Sequence, residues 1–258
     1  MENIVITGSS RGIGFGLASA FLARGCGVII SSSSEQNLGM ALEELKKNYP
    51  GAPLFSLRCD VTILSDLEAL WEKAEKEFGR VDIWINNAGC AHPMQPFWKL
   101  DYADIVRTLD VNLMGTINGS RVAFRRMMGQ GFGHLYNLEG QGADGSVIPG
   151  MGVFGTAKAG VHYFSKSLIE EAKGTKVKVS TIIPGIVRTG LQAGTAGTTI
   201  EGRIFLNMFG EDVRSATDDL ASRILANTSH GSCINRMSPP DMVGKVLTAP
   251  FRMLFGQH

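Results

Sequence analysis

The run Thr7-Gly8-Ser9-Ser10-Arg11-Gly12-Ile13-Gly14 follows a short apolar stretch and leads into a segment with Ile13, Leu17 and Phe21 on one helical face. Glycines in a strand-to-helix turn let the backbone reverse sharply and let an anionic group come close. The free N–H groups and dipole of the helix then favour phosphate charge. A glycine cluster alone is weak evidence; its place between a strand and a helix at the start of the chain is the confirming context. The chemistry implied is the binding of a pyrophosphate. A second constellation lies in Val153-Phe154-Gly155-Thr156-Ala157-Lys158. Phe154 and Lys158 are four apart, so on a helix they share a face. The lysine brings charge and a proton, whereas phenylalanine has no proton to give and no hydroxyl for an oxyanion.

These residues need elements to position them. Strand-like runs of apolar and β-branched residues occupy 4–7, 28–31, 54–57, 82–85, 134–138 and 177–183. Helical segments alternate with them. In 62–78 the residues Ile63, Leu67, Leu70, Trp71, Ala74 and Phe78 recur at helical spacing and predict one buried stripe. The alternation predicts an α/β architecture: a three-layer, doubly wound Rossmann fold, its parallel sheet covered by helices on both faces. We read 1–258 as one dinucleotide-binding domain, with a substrate loop or lid within 191–235. In the first part of that loop, 191–210, glycine and threonine precede the cluster Ile204, Phe205, Leu206, Met208 and Phe209, which needs something apolar to cover.

Composition excludes several classes. Lysine plus arginine (25) nearly cancels aspartate plus glutamate (24), against the basic face a nucleic-acid binder needs. Cys26, Cys59, Cys90 and Cys233 are scattered, which predicts neither a disulfide framework nor a metal site and favours a reducing, cytoplasmic compartment. Residues 3–7 already read as a strand, so no signal peptide is expected, and no apolar run is long enough to cross a bilayer. The apolar C-terminal stretch 247–255 is read as packing on a neighbour rather than resting on a membrane.

The glycine turn resembles the TGxxxGxG motif of the short-chain dehydrogenases/reductases, and further marks follow in family order over about residues 3–190. Asp60-Val61 resembles the pair that contacts adenine, and Asn86-Asn87-Ala88-Gly89 the NNAG signature. Asn112, in the sequence DVNLMGT, matches the helix asparagine that organises an active-site water. Pro184-Gly185-Ile186-Val187-Arg188-Thr189 resembles the segment that grips the nicotinamide carboxamide. The resemblance implies a nicotinamide cofactor held by Gly8, Ser10, Arg11, Gly12, Ile13, Gly14, Ser33, Asp60, Val61, Asn87, Ala88, Gly89, Lys158, Pro184, Gly185, Val187 and Thr189. NADP(H) is expected over NAD(H), because residues 31–34 are all serine with no acid for the ribose hydroxyls, and Arg11 sits where a family arginine faces a 2′-phosphate. The arginine that many NADP-using relatives carry at Ser33 is missing.

The resemblance also implies a catalytic group of Asn112, the Phe154 position and Lys158, reducing a small-molecule carbonyl or oxidising the alcohol. Relatives place tyrosine where this chain has Phe154 and serine near Gly140, beside Glu139. The stretch Asn137-Leu138-Glu139-Gly140-Gln141-Gly142 and the later Ile234-Asn235-Arg236-Met237-Ser238-Pro239-Pro240 are most similar to the chlorophyll b reductases. The latter segment is read as replacing the family's usual seventh strand. That branch implies a bulky apolar substrate, such as a chlorin bearing a formyl group, and a plastid stroma. A homodimer or homotetramer through the helices of Asn112 and Lys158 is implied as well. For the missing proton donor we weigh Glu139 and Asp144, which capping roles compete for, and His162, read as a packing histidine. Tyr163 is read as structural, and His92-Pro93 as mouth or plain loop. Three readings of Phe154 follow: a working reductase carrying an engineered Tyr-to-Phe change that leaves this form inactive or impaired, a natural variant with altered proton delivery, or a cofactor-binding sensor or scaffold without activity. The first is adopted, because it removes one oxygen and keeps the volume.

Overall fold

The computed structural model describes residues 1–193 and 210–236. Strands β1 (Asn3–Ile6), β2 (Gly27–Ser32), β3 (Leu54–Arg58), β4 (Ile83–Asn86), β5 (Gly133–Leu138), β6 (Val177–Ile183) and β7 (Cys233–Asn235) form one sheet in the order β3-β2-β1-β4-β5-β6-β7, and each neighbouring pair is parallel. The order reverses beside β1, between the β1 and β4 carboxyl ends. In an open α/β sheet a crevice forms there.

Between the strands run α1 (Gly12–Leu22), α2 (Glu35–Asn48), α3 (Leu64–Phe78), α4 (Tyr102–Leu109), α5 (Gly115–Gln130), α6 (Gly152–Glu171), the short α7 (Gly190–Ala193) and α8 (Val213–Ala226). Successive strand residues alternate faces, and the core divides accordingly. Ile4, Ile6, Val28, Ile30 and Ile85 pack with Leu17 and Phe21 of α1, Leu38 and Leu45 of α2 and Leu220 of α8. On the opposite face Val5, Ile29, Trp84 and Leu135 pack with Leu67, Leu70 and Trp71 of α3 and Val122 and Met127 of α5. The expected three layers are present.

Three expectations need correction. A seventh strand exists: Cys233–Asn235 pairs with 181–183 of β6, three residues being too short a run to carry a periodic signal. The proposed lid interval 191–235 is not one loop, because α8 buries Leu220, Ala221 and Ile224 in the core and β7 closes the sheet. The cluster 204–209 lies outside the described residues, as does 247–255. In α3, Ile63 is the residue before the helix and is exposed, so the stripe begins at Leu67.

Candidate active site

The carboxyl ends of β1, β2, β4, β5 and β6 surround a cavity of about 1390 Å³. All the cofactor-site and catalytic residues named from the sequence line it: Gly8, Ser10, Arg11, Gly12, Ile13 and Gly14 from the first turn, Ser33, Asp60 and Val61 beside it, Asn87, Ala88 and Gly89 after β4, Asn112, Phe154 and Lys158 below, and Pro184, Gly185, Val187 and Thr189 after β6. The topology gathers segments separated by up to 181 residues (Gly8 to Thr189) because every parallel strand ends on the same side.

The first turn shows why its glycines are required. A Cβ on Gly8, at φ +62°, would stand 2.6 Å from the Ala88 Cα, and one on Gly14 would stand 2.4 Å from Asn87 Nδ2. The turn therefore packs directly on the loop after β4. Thr7 Oγ1 accepts hydrogen bonds from the Asn87 and Ala88 amides, while Asn87 Nδ2 donates to the Thr7 and Gly8 carbonyls at 2.8 and 2.9 Å. Thr7, which opens the run, is not among the site residues expected from the sequence, although it supplies this cross-tie. The start of α1 carries neither an acidic first turn nor a side-chain cap, and Gly12, Ile13 and Gly14 line the cavity, where the first amides of a helix have no partner within it. Arg11 and Ser33 are exposed at the rim, and Ser10 Oγ donates to Ser32 Oγ at 3.0 Å. The serine run divides its tasks: Ser31 lies in the core of β2, while Ser34 caps α2 by accepting from the Asn37 amide. Asp60 accepts from the Thr62 amide and hydroxyl, which fixes the turn after β3.

Asn112 sits in a π-helical turn, Asp110–Met114, between α4 and α5. Such turns cluster at functional sites. Its Nδ2 donates to the Cys90 carbonyl at 2.7 Å and the Thr108 carbonyl at 2.8 Å, while its buried Oδ1 has no partner among the described residues. An orphaned acceptor at the cavity fits the water-organising role that the resemblance implies. The glycine turn, the free α1 amides and this acceptor together fit a nicotinamide dinucleotide.

On α6, Phe154 and Lys158 share a face as expected, with Lys158 Nζ 5.9 Å from the centre of the Phe154 ring. Lys158 is buried and donates to the Leu138 carbonyl at 3.1 Å; burial draws its pKa down to about 8, opposed by Glu139 and Cys90. The Phe154 amide donates to His92 Nε2, and His92 Nδ1 lies 2.8 Å from the Pro93 carbonyl. His92 is therefore a buried loop residue that braces the start of α6, and it is not among the residues that line the cavity.

The residues weighed as proton donors from the sequence are placed differently than expected. His162 is not packed into the core: its ring is 40% exposed, and Nδ1 lies 3.0 Å from both carboxyl oxygens of Glu139. Glu139 does not cap a loop. Its side chain is buried at the end of β5, where a carboxylate requires a donor, and burial pushes its pKa up against the pull of His162, Lys158 and Lys166. Asp144 does take the capping role, accepting from the Ser146 amide, and the Ser146 hydroxyl together with that amide holds its carboxyl below the usual range. Tyr163 is 78% exposed, so it is a surface residue rather than a structural one. Periodicity placed both on the helix, but only the neighbouring strand end decides which side is wet. Among the described residues no cluster of His, Cys, Asp and Glu could hold a metal ion, and no helix is long and apolar enough to cross a membrane.

Comparison with known proteins agrees with this geometry. The family model described as short chain dehydrogenase matches residues 2–198. The chain is 32% identical to the probable chlorophyll(ide) b reductase NYC1, chloroplastic, of Arabidopsis thaliana over 97% of its own length and 53% of the relative's, so it spans about half that protein. It is 34% identical to the chlorophyll(ide) b reductase NOL, chloroplastic, of the same plant, over 89% of this chain and 67% of the other. Among solved structures, levodione reductase superposes with a TM-score of 0.80 at 21% identity, covering 91% of this chain and 95% of that one. The alcohol dehydrogenase of Thermococcus sibiricus, complexed with 5-hydroxy-NADP, does so with a TM-score of 0.77 at 19% identity, covering 91% and 96%. The chain belongs to the short-chain dehydrogenase family.

Proposed function

We propose that this chain is an NADP(H)-dependent reductase of a bulky, largely apolar carbonyl compound, with the formyl group of a chlorophyll b-type chlorin as the leading substrate. The observation that carries the reading is the cavity itself, where the residues expected to hold a dinucleotide and a buried Lys158 share one space with apolar walls from Met94, Val106, Ile148, Met151 and Phe154. Likeness to chlorophyll(ide) b reductases over most of the chain supports the substrate class. The same relatives, both named chloroplastic, support a plastid stroma as the compartment. Arg11 and Ser33 at the rim, with Glu35 outside the cavity wall, support NADP(H). A homo-oligomer through α5 and α6 accompanies this reading.

When bound, the cofactor supplies a hydride. The chain's own residues do the rest. The amides that open α1 hold the pyrophosphate at a positive helix end, and Arg11 with Ser33 takes a 2′-phosphate. Asp60 and Val61 shape the adenine wall; the loop 184–189 and Asn87–Gly89 frame the nicotinamide side. Asn112 orients water through its open Oδ1. Lys158 holds a proton near neutrality. Phe154 fills the tyrosine position without a hydroxyl, so proton delivery is impaired, and this favours a second reading, a cofactor-binding sensor without turnover. Single-turnover oxidation of NADPH with chlorophyllide b decides between them. Turnover supports the reductase; none, with both ligands demonstrably bound, supports the sensor.

A further inference from the structure

We propose that Glu139, clamped by His162, is the counter-charge that keeps Lys158 protonated in the cavity, and that Lys158 thereby becomes the proton donor in place of Phe154. The donor role rests on the reductase reading; the charge pairing does not.

Lys158 Nζ is buried and, among the described residues, donates to a single carbonyl, that of Leu138. An ammonium taken out of water needs more than one dipole to stay charged. Glu139 follows Leu138 directly in the chain, and its side chain is 1% exposed. Glu139 and Lys158 line the same cavity, and a Cβ on the next residue, Gly140, would stand 3.5 Å from Lys158 Cε. Among the described residues Glu139 is the one carboxylate whose charge favours the ammonium. A buried carboxylate itself protonates unless something donates to it. His162 Nδ1 lies 3.0 Å from both of its oxygens, and the ring reaches solvent. The three groups therefore run from the surface to the cavity floor as His162, Glu139 and Lys158, drawn from α6, the β5 end and α6 again.

The remaining charged neighbours do not replace this arrangement. Cys90, from the loop after β4, faces Lys158, but burial pushes its thiol up, so it carries no negative charge near neutrality. Arg107 and Asp104 of α4 act on Cys90 with opposite signs. Lys166 of α6 faces Glu139 and also favours its ionised form. Asp144 is tied to the Ser146 amide in the exposed loop. His92 is engaged with Phe154 and Pro93.

The proton step balances. The carbonyl carbon gains a hydride from the reduced nicotinamide cofactor, and the C=O electron pair moves to oxygen. That oxygen forms an O–H bond as a Lys158 N–H bond breaks, which leaves a neutral amine. Solvent returns the proton after the alcohol departs. Glu139 and His162 never touch the substrate; they are positioning residues that act through Lys158.

The test is an NMR titration of the Lys158 side chain in cofactor-free, lysine-labelled protein, its signal assigned with K158R. In E139Q the Lys158 midpoint is expected to fall by about one unit or more, because burial then loses the larger of the two influences that oppose it. H162L should move it the same way by less, E139D should hold it near wild type, and E139Q/H162L should go no lower than E139Q alone. A shift under about 0.3 unit in E139Q overturns the pairing. Should E139Q not fold, H162L at the surface decides by the same criterion. The donor role is read from single-turnover NADPH oxidation with chlorophyllide b, whose alkaline limb must track the NMR midpoint across these variants. Turnover whose limb ignores that midpoint overturns the donor role alone. Absence of turnover with bound substrate overturns the reductase reading and the donor role together, and the titration still decides the pairing.

Discussion

Phe154→Tyr is the perturbation that asks most of the site. Phe154 is 8% exposed and lines the cavity, so one added oxygen has open space ahead of it and the backbone of α6 need not move. An unpartnered buried hydroxyl costs about 1–3 kcal/mol, and one facing a cavity this wide should cost less than about 1 kcal/mol of stability. The gain lies in rate. A positioned general acid contributes about 10²–10⁴-fold, equivalent to about 3–5 kcal/mol of barrier. The Lys158 ammonium, 5.9 Å from the ring centre, is close enough to favour the phenolate form and bring the new hydroxyl toward neutral pH. NADPH affinity should stay within about twofold, because Phe154 contributes no polar group to the cradle. The assay is single-turnover oxidation of bound NADPH with ketones and aldehydes, chlorophyllide b included, compared with the unsubstituted chain. A rise above the slow Lys158-dependent rate is expected. No rise with any carbonyl that calorimetry shows to be bound would refute the reasoning and leave the sensor reading in place.

Arg11→Ala should weaken NADPH by about 1.5–3 kcal/mol through lost charged hydrogen bonds and barely alter NADH, as measured by calorimetric titration of both. Equal losses would mean that Arg11 does not meet a 2′-phosphate. Gly8→Ala combines φ +62° with a 2.6 Å contact to the Ala88 Cα, so a lower urea midpoint is expected, by at least about 1 kcal/mol, together with loss of cofactor binding. His134, stacked on Tyr136 and bonded to Ser180, is held neutral by burial, which draws its pKa down to about 3. The unfolded chain takes up that proton near pH 6.5 and the folded chain does not. Stability is therefore expected to fall by about 1.4 kcal/mol per unit as pH drops from 6.5 toward 3. In urea titrations His134→Gln should flatten this acid limb, and an unchanged slope would argue against the assignment.

Local chemistry made the scaffold readable before any coordinates. Strand runs such as 4–6 and 28–30 are apolar on both faces because helices cover both, and the TGSSRGIG turn needs its glycines whatever surrounds it. The spacing of Phe154 and Lys158 is likewise a property of one helix. The short strand Cys233–Asn235 escaped because its pairing with β6, not its composition, makes it a strand. Helix α8 falls inside the interval that reads as lid because its burial depends on packing against α1, which no local window contains. The roles of Glu139 and His162 were decided last of all. A sequence gives a carboxylate and an imidazole 23 positions apart; only the docking of α6 against the end of β5 buries the first, wets the second and leaves 3.0 Å between them.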